Sequence, residues 1–392
     1  MIPAARTPRS EPGPRVRGWC PGALRPMESG DGWIVRLRPA LGRLSPDQAR
    51  GVARLARTHG NGQLDLSARA NPQIRGVTRE SHAPLIEGLR AFGLVAASVE
   101  AEARRTVMLT PFATAADDAL ARALEAALAE GPELPSKFGF AVDTGPRPVL
   151  TGTPADIRLE RSARGALILR ADGMALGAAV TEAEAPARAV ALARWFLASG
   201  GVSGGRGRMA AHVARGAVPP GANDVTPAAP LGPPAPGSHP MGLLAAFAFG
   251  ALDAETLAAL AETGAELRLT PWRMLLAVGL DAAPAIPGLV TDPADPLLRV
   301  AACVGAPACP SGFAATRPLA RALAPRVPSG SFLHVSGCAK GCAHPKAAPL
   351  TLVAGGEGFA AVRNGSAAGR PETPPRPAAA IAADPGPLIE TP

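Results

Sequence analysis

Four of the five cysteines form two close pairs in the last third of the chain. Cys303 and Cys309 are separated by five residues, and Cys338 and Cys342 by three. Four thiolates can hold an iron–sulfur cluster or a zinc ion. Structural zinc sites favour cysteine pairs with about two to four intervening residues. The wider first gap therefore favours a [4Fe-4S] cluster, while zinc, disulfides and unligated buried thiols stay open as alternatives.

The residues beside these cysteines agree with a cluster site. Gly305, Gly337 and Gly341 allow the backbone to approach closely and to point N–H groups at sulfur. Lys340 lies between the last two cysteines, where its charge would raise a cluster's potential or contact a ligand carboxylate. Cys20 lies far from the others in sequence, and we interpret it as a buried or free thiol.

The charge of the chain favours an acidic ligand. The 392 residues carry a net charge of +8, and three of the 40 basic residues are lysines. Such a balance permits nucleic acid, an anionic membrane or an acidic small molecule as partner. The arginines are scattered and no nucleic-acid-binding motif is present, so we expect no nucleic acid. Guanidinium groups pair bidentately with carboxylates, which favours a polyanionic small ligand.

Neither a membrane span nor a secretory signal is expected. No run of about 18 apolar residues occurs. The first residues contain arginine but no apolar segment of the kind that directs export. We therefore predict a cytoplasmic protein, in which disulfides are disfavoured.

Two long segments of the chain resemble each other. Residues 44–77 and 252–280 each predict a capped helix, a glycine stop and a strand pair. Residues 104–124 then parallel 298–323, and residues 134–145 parallel 331–345. An internal duplication of this kind predicts two related halves with pseudo-two-fold symmetry and a cleft between them, where a large ligand could bind.

With these motifs in place, a family resemblance is visible over most of residues 25–365. The C-x5-C and C-x3-C pattern in a duplicated chain resembles the sirohaem-containing nitrite and sulfite reductases. The segment SARANPQIR resembles a family segment, and the resemblance places Arg69 at the position that contacts the tetrapyrrole. LPSKF places Lys137 at an active-site lysine, and WIVRLRP places Arg36 in the family's basic pocket.

Departures from the reductases point to another branch of that superfamily. Gly139 stands where the reductases have a second lysine, and the chain is shorter than theirs. The segments CPGALRPMESGDG and HVSGCAKGCAHP look closer to precorrin-3B synthases of the aerobic cobalamin pathway. A sirohaem-dependent sulfite or nitrite reductase, and a non-catalytic Fe–S or tetrapyrrole-binding protein, remain the alternative functions.

The resemblance implies an α+β fold with a duplicated nitrite/sulfite reductase-like architecture of ferredoxin-like half-domains and two larger α+β modules, related by a pseudo-two-fold axis. The expected organisation is a disordered leader (1–18), half-domain 1 (19–100), module 1 without a cluster (101–202), a linker (203–240), half-domain 2 (241–295), module 2 with the [4Fe-4S] site (296–366) and a disordered tail (367–392).

The resemblance also implies a mono-oxygenase reaction. Precorrin-3A would be hydroxylated at C20 with O2, and a γ-lactone would close from the ring A acetate. The family is associated with a [4Fe-4S] cluster and a non-haem iron, for which His344 is the candidate ligand or a hydrogen-bond donor near the cluster. Lys137 and Lys340 are the candidate catalytic residues.

Precorrin-3A carries eight carboxylates, so its pocket should be apolar in its floor and rich in arginine at its rim. The candidate rim residues are Arg36, Arg69, Asn71, Gln73 and Arg75. The last four would share one strand face if the strand runs unbroken, although Pro72 sits poorly in a central strand.

Electrons for such a reaction would come from outside the chain. The sequence shows no convincing dinucleotide-binding fingerprint, and the glycine-rich segment 355–358 is better interpreted as a hairpin turn. We therefore expect an external donor, either a ferredoxin or an NADH-dependent flavoprotein reductase. His212 and His239 fall in the expected linker and are predicted to be exposed.

Overall fold

The computed structural model describes residues 21–104 and 107–386. These residues form two compact units. One contains residues 21–28 and 33–293, and the other contains residues 29–32 and 294–386. The predicted leader (1–18) and Cys20 lie outside the described residues. Within the described ranges, no helix has both the length and the apolar character needed to cross a membrane.

The first half-domain is a sheet covered by two helices. Its helices begin at the side chains that the sequence predicts as caps: Ser45 and Gln48 form a capping box at the start of the first helix, which ends at Gly60. The elements are β1 (Met27–Ser29), β2 (Gly32–Arg36), β3 (Arg43–Leu44), α1 (Pro46–His59), β4 (Gln63–Leu66), β5 (Pro72–Val77) and α2 (Arg79–Ala91).

The first α+β module packs helices on a five-stranded sheet. Its elements are α3 (Val99–Arg104), β6 (Val107–Leu109), α4 (Ala115–Ala129), β7 (Phe140–Asp143), β8 (Ile157–Arg161), β9 (Leu167–Ala171), β10 (Ala178–Ala179), α5 (Ala185–Ala198) and α6 (Met209–Ala214). The strand order is β10-β9-β8-β7-β6. Strands β6, β7 and β8 are parallel, and β9 runs antiparallel to β8.

Part of the expected linker (203–240) is instead built into this module. The buried carboxylate of Asp156 accepts hydrogen bonds from the side chain of Arg208 and from the N–H of Met209, which fixes the start of α6. Met209 is fully buried. Val225 then bridges to Gly177. The sequence does not predict this order, because the segment is rich in proline and glycine and the carboxylate that fixes it, Asp156, lies about 50 residues earlier in the chain.

The second half-domain repeats the first with one helix fewer in the described residues. Its elements are β11 (Gly237–His239), β12 (Gly242–Ala246), β13 (Ala251–Asp253), α7 (Ala254–Glu262), β14 (Leu267–Leu269) and β15 (Met274–Val278). Asp253 caps α7 as the sequence predicts.

The two half-domains exchange one strand each. The sheet orders are β1-β2-β5-β4-β13 and β11-β12-β15-β14-β3, so each sheet is completed by a strand from the other copy. Leu252 of β13 pairs with Leu64, and Leu44 of β3 pairs with Leu267. All four leucines are almost fully buried in one shared core. The halves therefore form a single folded body.

The cysteine-containing module is the core of the other unit. Its elements are β16 (Val300–Ala302), α8 (Arg317–Leu323), β17 (Leu333–Ser336), β18 (Ala348–Gly355), β19 (Gly358–Gly365) and α9 (Ala378–Ala383). Strands β16, β17 and β18 are parallel and β19 is antiparallel. This repeats the pattern of β6 to β9. Gly355 and Gly358 face each other in the β18–β19 hairpin, as expected.

The described part of the expected disordered tail (367–392) is ordered. Ile381 of α9 is fully buried, and α9 packs against α8. Phe359 and Arg376 form a bridge with hydrogen bonds in both directions. The prediction failed because alanine and proline dominate the segment and one isoleucine provides its anchor.

Asp143, at the end of β7, is a buried carboxylate in the first module. It is 3% exposed, and it accepts hydrogen bonds from the N–H groups of Val149 and Leu150, both at 2.6 Å. Burial raises its pKa from 3.8 to about 6, because the hydrogen bonds only partly offset desolvation and Glu160 adds a like charge. The folded chain thus holds a proton that the unfolded chain releases near pH 4.

This shift predicts a pH-dependent stability. As pH rises from about 4 to 6, the folded state loses its excess proton, so the free energy of unfolding should fall by at most about 3 kcal/mol. Asp143→Asn keeps an acceptor for both N–H groups and cannot ionise. In urea unfolding between pH 4 and 7, the free energy of unfolding of the variant should therefore rise progressively relative to that of the wild type. Parallel pH profiles for the two proteins would contradict this assignment.

Candidate functional site

An arginine-rimmed pocket lies between the first half-domain and the first module. Its enclosed volume is about 60 Å³, within a wider open cleft of about 790 Å³ that includes solvent. Its floor is apolar and its rim is polar. The floor includes Leu41, Val107, Met108, Leu109 and Phe140, and the rim includes Arg36, Arg38, Arg69, Asn71, Ser136 and Glu125.

The turn between β4 and β5 sets the position of Arg69. Ser67 closes the turn, since its hydroxyl accepts hydrogen bonds from the N–H groups of Arg69 and Asn71. Ala70 adopts a left-handed backbone with φ of 53°. An alanine pays a cost for that conformation, which only the surrounding hydrogen bonds can offset. The side-chain amide of Asn71 donates to the Arg69 carbonyl at 2.8 Å.

Hydrogen bonds hold the rim arginines in place. Arg36 donates to Gln73 Oε1 at 3.2 Å, and Arg69 donates to the Lys137 carbonyl at 2.9 Å. Arg38 donates to the Glu102 carbonyl. Three guanidinium groups and one carboxylate, Glu125, line the same cavity. The pocket is therefore cationic, and it can bind a ligand with several carboxylates.

The structure brings together three of the five predicted rim residues: Arg36, Arg69 and Asn71 line the pocket. Gln73 lies one step back and orients Arg36. Arg75 is 4% exposed and forms a buried ion pair with Asp65 at 3.0 Å, outside the pocket lining. The expected shared face does not form, because β5 begins only at Pro72 and Arg69 and Asn71 belong to the turn.

Arg38 is a rim residue that the sequence prediction missed. It follows Arg36 by two residues, so an extended chain places both on one face. That spacing was the available signal. Lys137 is exposed, and it contributes its backbone carbonyl to Arg69. Ser136, its neighbour, lines the pocket.

The four clustered cysteines lie in loops of the other unit. Cys303 directly follows β16, and Cys338 follows β17 by one residue. Since β16 and β17 are adjacent parallel strands, both cysteines leave the same edge of the sheet. Cys309 lies in the loop before α8, and Cys342 lies in the loop before β18. All four are free thiols.

The thiols are close enough to influence one another. Burial raises the pKa of Cys338 and of Cys342, and the thiolates of the remaining cysteines raise both pKa values further, while Lys340 opposes the shift. The N–H of Gly337 donates to Cys303 Sγ at 3.2 Å. A Cβ at Gly337 would lie 3.5 Å from that sulfur, so glycine permits the approach.

The described residues contain no group of three or more His, Cys, Asp or Glu side chains arranged to hold a metal ion. The four cysteines nevertheless offer thiol donors, the ligand type that iron–sulfur clusters use, and a backbone N–H is directed at one of the sulfurs. No comparable donor set for a non-haem iron exists in the described chain, so the residues do not fit that group.

Three histidines that the sequence singled out have surroundings other than those predicted. His344 was the candidate iron ligand, and His212 and His239 were expected to be exposed. His344 Nε2 lies 3.3 Å from the Ala347 carbonyl, and its ring packs 4.8 Å from Phe332. His212 is 5% exposed and contacts the Ser199 hydroxyl at 2.8 Å. His239 stacks on Phe112 with ring centroids 4.2 Å apart. The prediction of exposure was wrong for His212, which is buried, and His239 is partly exposed.

Comparison with known proteins supports this architecture. Residues 25–92 match the nitrite/sulfite reductase ferredoxin-like half domain. The structure resembles that of the Mycobacterium tuberculosis NirA protein with a TM-score of 0.54, at 18% identity, over 84% of this chain and 74% of that one. This likeness confirms the predicted fold class.

A sequence relative decides the family. A precorrin-3B synthase from Sinorhizobium sp is 32% identical over 390 residues, covering 91% of this chain and 84% of the relative. The chain belongs to the precorrin-3B synthase family. The predicted resemblance is thereby confirmed, and cobalamin biosynthesis is the setting that the family relation supports. Within this family member, the arginine pocket and the four thiols are the two candidate functional centres.

Arg75 and Arg69 should respond differently to substitution in this precorrin-3B synthase homologue. Arg75→Met leaves Asp65 without its buried partner and should lower the free energy of unfolding by about 3 kcal/mol. Arg69→Met removes a half-buried rim charge and should cost less than about 1 kcal/mol. Urea unfolding of both variants measures the difference. Similar losses would contradict the division into a structural and a ligand-facing arginine.

Proposed function

We propose that the chain catalyses the precorrin-3B synthase reaction. Precorrin-3A is hydroxylated at C20 by one oxygen atom of O2, the other oxygen atom leaves as water with two protons and two electrons, and a γ-lactone closes from the ring A acetate. The observation that carries this proposal is the family relation over 91% of the chain. The enzyme would accordingly be a mono-oxygenase.

The arginine pocket supplies the substrate-binding part of the proposal. The macrocycle would pack on Met108, Leu109 and Phe140, while its acidic side arms meet Arg36, Arg38 and Arg69 at the rim. Charge-assisted hydrogen bonds to fixed guanidiniums also orient the macrocycle, because each fork has a defined plane. Lys137 is exposed beside this rim and would meet a further carboxylate.

Cys303, Cys309, Cys338 and Cys342 are the residues that would hold a [4Fe-4S] cluster, which supplies one-electron transfer when bound. The Gly337 N–H directed at Cys303 Sγ and the charge of Lys340 would both stabilise the reduced, more negative state. No step is assigned to a non-haem iron. Electrons would reach the chain from an external donor, a ferredoxin or an NADH-dependent flavoprotein reductase.

Turnover with labelled oxygen tests the function. Anaerobically purified protein with a reduced ferredoxin, precorrin-3A and 18O2 should yield a product that carries one 18O atom in its hydroxyl group, detected by mass spectrometry. Product without the label, or an unchanged substrate alongside reduction of sulfite, would contradict the proposal. Intense absorption of a bound sirohaem in the purified protein would favour the reductase function instead.

Rim arginines should control substrate affinity. Arg36→Met and Arg69→Met each remove one charge-assisted contact and should weaken precorrin-3A binding by about tenfold. Arg164→Met changes an exposed arginine in the β8–β9 turn and serves as the matched control. Anaerobic absorbance titrations with precorrin-3A measure the dissociation constants. If all three variants bind like the wild type, the pocket is not the substrate site.

A further inference from the structure

The sequence around the four cysteines contains no acidic residue. Between Asp295 and Glu357 lie 61 residues without a single Asp or Glu, although the chain has 32 acidic residues in 392 positions and would place about five in such a stretch. Six basic residues lie there: Arg299, Arg317, Arg321, Arg326, Lys340 and Lys346. The stretch 296–356 of the cysteine module therefore carries charge of one sign.

The exposed part of this module combines lysines with an apolar side chain. Phe313 is 49% exposed, which is unusual for a large apolar residue in this protein. Its N–H donates to the Gly337 carbonyl at 2.8 Å, which places it beside Cys338. Lys340, Cys342 and Lys346 are all exposed in the neighbouring loop. We call Phe313, Lys340, Cys342 and Lys346 the cysteine-loop surface.

Neutralising the thiolates explains only part of this composition. Lys340 acts on Cys338 and Cys342 and could serve them alone. Lys346 lies four residues beyond Cys342, and the exposed Phe313 ring contributes nothing to charge balance. An exposed aromatic residue in a region that also exposes lysines is instead typical of a protein interface, where the apolar contact supplies affinity and the charges steer the encounter.

The use of lysine at this surface also fits a transient partner. Two of the three lysines in the chain lie here, while 37 other cationic positions are arginine. A lysine ammonium stays strongly hydrated and flexible, so it attracts an opposite charge without forming the fixed bidentate pair of a permanent contact. Fast association with quick release suits a carrier that delivers electrons repeatedly.

We propose that the cysteine-loop surface docks a small acidic one-electron carrier protein, with acidic side chains of the carrier around its redox centre. The proposal rests on the proposed function, which needs an outside reductant. In each encounter the carrier is oxidised by one electron, and the centre held by the four thiolates is reduced by one. Two encounters and two protons supply what the reduction of one oxygen atom to water requires.

Binding is measured without substrate or O2, so the result does not depend on turnover. The probe is a plant-type [2Fe-2S] ferredoxin, titrated into the anaerobically purified full chain by calorimetry at 50, 100 and 200 mM salt. The test variant is Lys340→Glu with Lys346→Glu. The control is Arg164→Glu with Arg194→Glu, two exposed positions in the other unit that produce the same change in net charge.

The test variant should weaken ferredoxin binding at the lowest salt by about tenfold or more and reduce its salt dependence, while the control should change it less than about twofold. Phe313→Ser should weaken binding and leave the salt dependence intact. Lys346→Glu alone should weaken ferredoxin binding by an intermediate factor. This single variant separates an effect on docking from damage to the thiolate site, because Lys340 is unchanged in it. Iron and sulfide contents of all variants are compared with those of the wild type.

Equal losses in the test and control variants would overturn the proposal, as would the absence of ferredoxin binding at 50 mM salt. Stronger binding of a short oligonucleotide than of ferredoxin, weakened by the same lysine changes, would also overturn it. If the ferredoxin binds as expected but labelled oxygen never enters precorrin-3A, the docking surface stands and the proposed function fails.

Discussion

The exchange of one strand between the two half-domains is the constraint on which the larger unit depends. Strand β3 completes the second sheet and β13 completes the first, each with buried leucines at the pairing. Neither half could form its five-stranded sheet alone. The chain that leaves β2 must therefore run to the other sheet, and Arg38 and Leu41 lie on this connection at the pocket. The same β2–β3 connection therefore joins the two half-domains and supplies residues to the pocket.

The duplicated halves have kept their backbone and changed their side chains. The β4–β5 turn contains a left-handed Ala70, and the β14–β15 turn contains a left-handed Arg273. The residue before this position is Arg69 in the first copy and Trp272 in the second. Arg69 lines the cationic pocket, whereas Trp272 lies 6.3 Å from Phe112 in a stack of aromatic rings. One turn geometry thus serves ligand binding in one half and packing in the other.

Periodicity and capping predicted the elements that local chemistry determines. The capping box at Ser45, the cap at Asp253 and the repeated strand pairs were all readable from the sequence. The pocket was only partly predictable, because alternation along a strand does not apply to Arg69 and Asn71 in a turn. Arg75 shows the limit clearly: its role depends on a partner ten residues away, Asp65, and on burial that no local pattern reveals. The ordered segment at α6 likewise depends on a distant carboxylate.

We propose that Cys303, Cys309, Cys338 and Cys342, in the loops at one edge of the β16–β17 sheet, hold one [4Fe-4S] cluster. Mössbauer spectroscopy of protein produced with 57Fe and purified without oxygen, together with iron and sulfide analysis, measures this directly. We expect four irons and four sulfides per chain, with the Mössbauer parameters of a [4Fe-4S] cluster, and the loss of both in Cys303→Ser. Stoichiometric zinc, or iron that persists unchanged when Cys303 is replaced, would contradict it.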